Sequence, residues 1–155
     1  MLAARRDCAA VFYVTDRKAD GGIYSKPAIL FRAANEAGLR PLWHKIALRR
    51  GVGKVDLHRP TFSHMIAFSA DGRGGSATPD VIDRGPMLYP NATGLSAASA
   101  AVKFAARPGV PLVDPFCGQG TIPAVADALG FDAIGVDIDP AQCEKARALK
   151  LRARA

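Results

Sequence analysis

The sequence is poor in cysteine. Cys8, Cys117 and Cys143 are too few and too scattered for a disulfide framework or a zinc site, so reduced thiols and no bound metal are expected. No apolar run reaches the roughly 18 residues of a membrane-spanning helix. The stretch Met1-Leu2-Ala3-Ala4-Arg5-Arg6-Asp7 also meets charge too soon to lead into a signal-peptide core. A cytoplasmic chain with no membrane partner is expected. Repeats and low-complexity tracts are missing too. Acid is the scarcer charge, with 14 Asp and Glu against 21 Lys and Arg, a formal net charge of +7. Such an excess suggests an anionic partner, nucleic acid above all, because clustered cations release counterions from phosphate; a merely solvated basic surface accounts for it equally well.

What is present is ordinary globular material. At 155 residues, 49% apolar and 23% charged, the chain is the size of one domain with one core. Residues 9–15 are apolar and β-rich, followed by a polar, glycine-closed loop over 16–22. Ser25 suits a helix N-cap and Pro27 a first turn, with Ile29, Leu30, Ala33, Ala34 and Ala37 at helical spacing until Gly38. Strands are predicted over 42–48 and 62–68, joined by a basic loop over 49–60 long enough for a hairpin arm. Glycine and proline punctuate 71–90, a linker or lid. A small-residue helix follows over 94–106, then a strand, a helix over 123–129, a strand and a terminal helix over 141–155. The order implies an α/β fold: an open, mostly parallel sheet with helices on both faces, the Trp43 and Phe62 strands forming an antiparallel edge. The single domain then comprises a substrate-side half over 1–70, the linker or lid over 71–90, and a ligand half over 91–155.

That ligand half holds the densest signal. Val113-Asp114-Pro115-Phe116-Cys117-Gly118-Gln119-Gly120-Thr121 is a buried strand breaking into a glycine turn, and Ala133-Ile134-Gly135-Val136-Asp137-Ile138-Asp139-Pro140 is a second strand ending on acid. Gly118 and Gly120 permit a tight turn with no side chain between backbone and ligand, and the following helix offers backbone N–H groups. Asp137 stands twenty-three residues beyond Asp114, the spacing at which an acid can hold two ribose hydroxyls. A dinucleotide fingerprint is absent, because the third glycine is replaced by Pro123 and the turn opens on Asp114-Pro115. Adenosine with a free ribose fits better than NAD.

These residues carry a family resemblance. Asp-Pro-Phe-Cys-Gly-x-Gly-Thr, a helix, then Gly-Val-Asp-x-Asp-Pro resembles the S-adenosylmethionine-binding motif of class I methyltransferases, particularly the circularly permuted DNA amino-methyltransferases, in which the catalytic half precedes the cofactor half. Most of the chain also resembles an uncharacterised group of bacterial class I methyltransferases, through Phe12-Tyr13-Val14-Thr15-Asp16, Trp43-His44-Lys45-Ile46 and Thr78-Pro79-Asp80-Val81. The resemblance implies a Rossmann-like methyltransferase sheet with S-adenosyl-L-methionine as cofactor. It puts Asp114 by the methionine amino group, has Pro115, Phe116, Cys117, Gly118, Gly120 and Thr121 shape the pocket, gives the ribose to Asp137 and lays Ile138 against adenine. Asn91 and Gly94 are expected near the methionine end.

The chain departs from the family where the amine substrate is held. No Asp/Asn/Ser-Pro-Pro-Tyr/Phe tetrapeptide occurs, and the third strand of the cofactor half is missing, so an incomplete sheet is implied. The expected activity is methyl transfer to a DNA or RNA base; a binding remnant without turnover and a small-molecule methyltransferase are the alternatives, and the oligomeric state is open, a dimer included. Asp16 is a candidate for orienting substrate, with a solvated loop acid as the plainer account. His44, His58 and His64 read as structural histidines, Trp43 as core, and Cys117 as a small residue in a tight turn without thiol chemistry. Lys45, Arg49, Arg50, Lys54 and Arg59 form a basic cluster suited to gripping phosphates, and Lys145, Arg147, Lys150, Arg152 and Arg154 a second.

Overall fold

The computed structural model describes residues 9–71 and 78–151, so Cys8, Arg152 and Arg154 lie outside the described residues. The chain divides into two compact units, Met1–Asp83 and Arg84–Ala155. Their boundary falls inside the expected linker: residues 81–83 join a sheet of the first unit, and 84–94 lead into a helix of the second.

The first unit opens with β1 (Ala9–Val14). The expected loop after it folds as a small hairpin, β2 (Arg17–Ala19) against β3 (Gly22–Tyr24), turned by Asp20 and Gly21, whose left-handed φ values of 53° and 72° suit those residue types. Helix α1 (Lys26–Glu36) starts where the Ser25 hydroxyl accepts from the Ala28 N–H, and Gly38, at φ 70°, takes the chain away from it. Then come β4 (Arg40–Leu48), β5 (Phe62–Ser69) and the short β6 (Val81–Asp83). The sheet order is β1-β5-β4-β6. Strand β5 is antiparallel to both neighbours and β6 is parallel to β4, so β1, β4 and β6 share one direction.

The Trp43 and Phe62 strands do pair antiparallel, with Leu48 opposite Phe62, but β5 lies inside the sheet and not at its edge. Burial explains this: every residue from Ser63 to Ser69 is buried, and a strand apolar on both faces needs a neighbour on either side and cover above and below. Helix α1 supplies one cover. Ala34 packs with Ile66 and Phe68, and the rings of Phe12 and Phe31 meet Phe68 edge to face at 5.9 and 5.5 Å.

Lys45, read from sequence as a phosphate-gripping surface cation, is instead a core residue at 2% exposure. Its Nζ donates to the Thr78 and Pro79 carbonyls at 2.7 and 3.3 Å and to Asp80 Oδ1 at 2.9 Å, beside the Trp43 ring. The ammonium thus exchanges water for fixed acceptors and ties residues 78–80 to β4, where the Ile46 N–H also donates to the Asp80 carbonyl. That tie is what brings β6 into register, with Ile46 opposite Val81.

The second unit contains α2 (Leu95–Ala105), β7 (Leu112–Asp114), α3 (Thr121–Ala128), β8 (Ala133–Gly135) and α4 (Pro140–Ala148). Strands β7 and β8 are parallel, Asp114 opposite Gly135. The core joins Ala98, Val102 and Ala106 to Val125 and Ala126, small side chains that let two helices approach closely. The terminal helix stops at Ala148, short of the predicted Ala155, and Leu149 has extended backbone. Helix α4 buries none of its residues. Among the described residues, no helix is long and apolar enough to cross a membrane.

The role of Lys45 is open to measurement. Lys45→Ala should lower unfolding free energy by about 2–4 kcal/mol through a cavity and unpaired carbonyls. Asp80→Ala should cost less than about 1 kcal/mol, because the Asp80 side chain is 86% exposed. Urea denaturation of both variants gives the comparison.

Candidate functional site

Within the second unit, the ends of β7 and β8 are cross-tied. The Val136 N–H donates to the Asp114 carbonyl, and the Cys117 N–H donates back to the Val136 carbonyl, both at 2.9 Å. The Asp137 carboxylate completes the tie: one oxygen accepts from the Gly118 N–H at 2.9 Å and the other from the Asp139 N–H at 3.0 Å. Asp139 in turn caps α4 by accepting from the Ala141 N–H. An acid at Asp137 therefore holds the glycine turn in shape, and its carboxylate keeps lone pairs for a further donor.

The glycines divide in role. At Gly118, φ 52°, an added Cβ would lie 3.7 Å from the Tyr89 hydroxyl, on the side of an open cleft. At Gly120, φ 87°, it would lie 2.7 Å from Ala146 Cβ, so this glycine serves the packing of α4. Gly135 is required by its neighbour Cys117, whose Sγ would stand 3.0 Å from a Cβ there. Gly94 accommodates the Arg84 carbonyl, which would be 2.2 Å from a Cβ and which accepts from the Ser96 and Ala97 N–H groups.

The cleft has a volume of about 330 Å³, at the lower end of small-molecule sites. Of the residues expected to bind a ligand, Asn91, Asp114, Phe116, Cys117, Gly118 and Thr121 line it. Pro115, Gly94, Gly120, Asp137 and Ile138 do not. Phe116 and Ile138 nonetheless present apolar surface to solvent, at 86% and 100% exposure. Asn91 is held at φ 65°, a left-handed conformation that asparagine tolerates. Sequence reasoning missed Tyr89 and Gln142. Tyr89, whose hydroxyl accepts from Thr121 Oγ1 at 3.0 Å, closes one wall. Its only sequence signal is its place before Pro90-Asn91.

Two charges of one sign face this region. Burial pushes the Asp114 carboxyl above its usual range, the Asp137 charge adds to the effect, and a hydrogen bond from the Phe116 N–H opposes it. A cationic ligand group would relieve that cost. Burial also raises the Cys117 thiol, with Asp114 contributing, so it stays protonated and unreactive.

In the first unit, Asp16 ends a polar chain. Its Oδ1 accepts from the Lys26 N–H at the start of α1, and its Oδ2 pairs with His64 Nε2 at 3.2 Å. His64 Nδ1 meets His44 Nε2 at 2.9 Å. Because the carboxylate accepts, a neutral His64 accepts at Nδ1 and His44 donates from Nε2. Asp16 thus anchors both the start of α1 and the His64 ring. Of the basic cluster, Arg49 donates to the Pro60 carbonyl and Arg50 pairs with Asp56, while Lys54 and Arg59 are exposed. Among the described residues no group of His, Cys, Asp and Glu is arranged to hold a metal ion.

Known structures share this architecture. A candidate DNA modification methylase from Thermus thermophilus superposes with TM-score 0.72 and 18% identity, over 90% of this chain and 68% of its own. The same protein complexed with S-adenosyl-L-methionine gives 0.69, 19%, 90% and 66%. The cytosine-N4-specific PvuII DNA methyltransferase gives 0.72, 12%, 90% and 62%. The fold is that of DNA methyltransferases. M1.HpyAVI, solved as its SAM complex, matches at 0.61 and 14% over 80% of this chain and 70% of its own. The chain thus spans about two thirds of the length of these neighbours. No protein-family model matches it, nor does any curated protein.

Two outcomes follow from this geometry. Gly120→Ala should destabilise by about 1–3 kcal/mol, through both left-handed strain and the clash with α4, and by more than Gly118→Ala, as read by thermal denaturation. The second concerns acid. Burial chiefly, and the neighbouring His64 charge next, lower the His44 pKa below 6.5, against the opposing pull of Asp16. The unfolded chain then binds more protons in the window below about 6.5, so stability falls as pH falls through it. His44→Gln, which keeps a donor to His64, should flatten that decline in denaturation curves collected from neutral to mildly acidic pH.

Proposed function

We propose that this protein is an S-adenosyl-L-methionine-dependent methyltransferase acting on a base of nucleic acid, in the cytoplasm. The observation that carries the reading is the cleft beside the glycine turn, where the half-buried Asp114 carboxyl is pushed up next to Asp137 and so favours a cationic ligand. The fold and the cofactor in the Thermus and M1.HpyAVI complexes support it. When bound, S-adenosyl-L-methionine supplies a methyl group already activated on a sulfonium sulfur, which leaves the protein chiefly alignment and a route for a proton.

The residues present fit that group. Asp114 would take its cationic end, with Asn91, Tyr89 and Thr121 as the polar wall and Gly118 keeping the approach clear. Asp137 has lone pairs left for ribose hydroxyls, and the exposed faces of Phe116 and Ile138 suit an adenine ring. The net charge of +7 suits an anionic substrate polymer. The absence of an Asp/Asn/Ser-Pro-Pro-Tyr/Phe tetrapeptide favours a second reading, in which these residues bind cofactor without turnover.

Asp114→Asn separates ligand binding from folding. The substitution keeps an acceptor for the Phe116 N–H and removes the repulsion with Asp137, so the ligand-free variant should be at least as stable as wild type. Its affinity for S-adenosyl-L-methionine in calorimetry should fall roughly tenfold to a hundredfold, the worth of one charge-assisted contact. Wild type that binds no S-adenosyl-L-methionine would refute the reading. Labelled methyl groups entering DNA or RNA establish turnover; binding without transfer leaves the second reading.

A further inference from the structure

The loop over 49–61 in the first unit is built rather than slack. At its neck, the Arg49 and Arg50 N–H groups both donate to the Thr61 carbonyl. Inside it, the Lys54 N–H donates to the Gly51 carbonyl, and Asp56 Oδ1 accepts from the His58 and Arg59 N–H groups at 3.0 Å each. Lys18 of the β2–β3 hairpin reaches the Asp56 carbonyl at 3.0 Å, so loop and hairpin are joined, with a cleft of about 510 Å³ lined by Lys18, Ile23, Leu57 and His58 among others.

This order turns the wrong residues outward for a solvated loop. Val52, Val55 and Leu57 are 88%, 79% and 82% exposed, and Ile23 and Tyr24 on the hairpin are also exposed. Around them stand the exposed cations Arg17, Lys18, Arg50, Lys54 and Arg59. The acids of the patch are engaged internally: Asp56 on the loop's own N–H groups and Arg50, Asp20 on the Tyr24 hydroxyl. A surface offering bare aliphatic tips framed by cations fits a partner that presents apolar faces within a few ångströms of phosphates.

We propose that the 49–61 loop and the β2–β3 hairpin form a duplex-DNA-binding surface, on which the Arg and Lys side chains hold phosphates and Val52, Val55 and Leu57 act as a wedge against the base stack. Aliphatic wedges framed by cations are a known way to part base steps, and an enzyme that modifies a base must first free it from the stack. The acceptor class in the reading above, on which this inference rests, selects nucleic acid over a lipid surface, and a wedge against stacked base steps selects a duplex.

The test uses the whole protein without cofactor and a short mixed-sequence duplex carrying 2-aminopurine. Wild type should bind it with a steep salt dependence and raise the 2-aminopurine emission. Lys54→Ala with Arg59→Ala should weaken binding at least tenfold and flatten the log–log salt slope by about one per cation removed. The triple variant Val52→Ser, Val55→Ser, Leu57→Ser should keep that salt slope and lose the emission change. These side chains bury little, so circular dichroism should show both variants folded. A triple variant indistinguishable from wild type overturns the wedge, and so does tighter binding of wild type to anionic phospholipid vesicles than to the duplex. Duplex binding with these responses but without methyl transfer counts against the enzymatic reading alone. Methyl transfer to DNA undisturbed by either set of substitutions counts against the loop alone.

Discussion

Everything around the cleft of the second unit hangs on the Asp137 carboxylate accepting from the Gly118 and Asp139 N–H groups. The stretch Cys117 to Gly120 before α3 has little side-chain mass with which to hold itself. Its shape must come from hydrogen bonds. A charged acceptor is about twice as effective as a neutral one in that task, and a partly buried one more so. With Asp137 in place, the turn fixes Gly118 beside the cleft and Gly120 against α4, and α4 starts from the Asp139 cap next door.

That arrangement has an electrostatic cost. Asp114 sits half-buried near the same carboxylate, and partial burial first, with the Asp137 charge adding, raises its proton affinity. Gly120 and Gly135 are required by neighbours within the protein, while Gly118 faces the cleft.

The first unit shows how the use of a charge depends on geometry more than on residue type. Lys45 and Lys54 differ little as letters. One is sealed between β4 and residues 78–80 by two carbonyls and a carboxylate, and the other stands exposed on a loop whose shape is kept by Asp56. Asp16 follows the same logic: a loop acid at the end of a strand, it accepts from the Lys26 N–H that starts α1 and pairs with His64.

The longer elements and the Asp114-to-Asp137 motif were legible in sequence because their signals are local. Helix α1 has its cap, proline and stop glycine within fourteen residues, and β5 carries the apolar run Met65 to Phe68. Strands β2, β3 and β6, of three residues each, carry no period that could mark them, and the interior place of β5 depends on which strands flank it. Sequence by itself therefore determined the α/β class, the glycine turn with its acids, and the basic excess, since each is written in adjacent residues. Only tertiary structure decided that Lys45 is core, that Tyr89 closes the cleft against Thr121, that Asp137 holds the turn, and that Val52, Val55 and Leu57 are left outside. Those outcomes depend on contacts between residues far apart in the chain, whose partners no local pattern names.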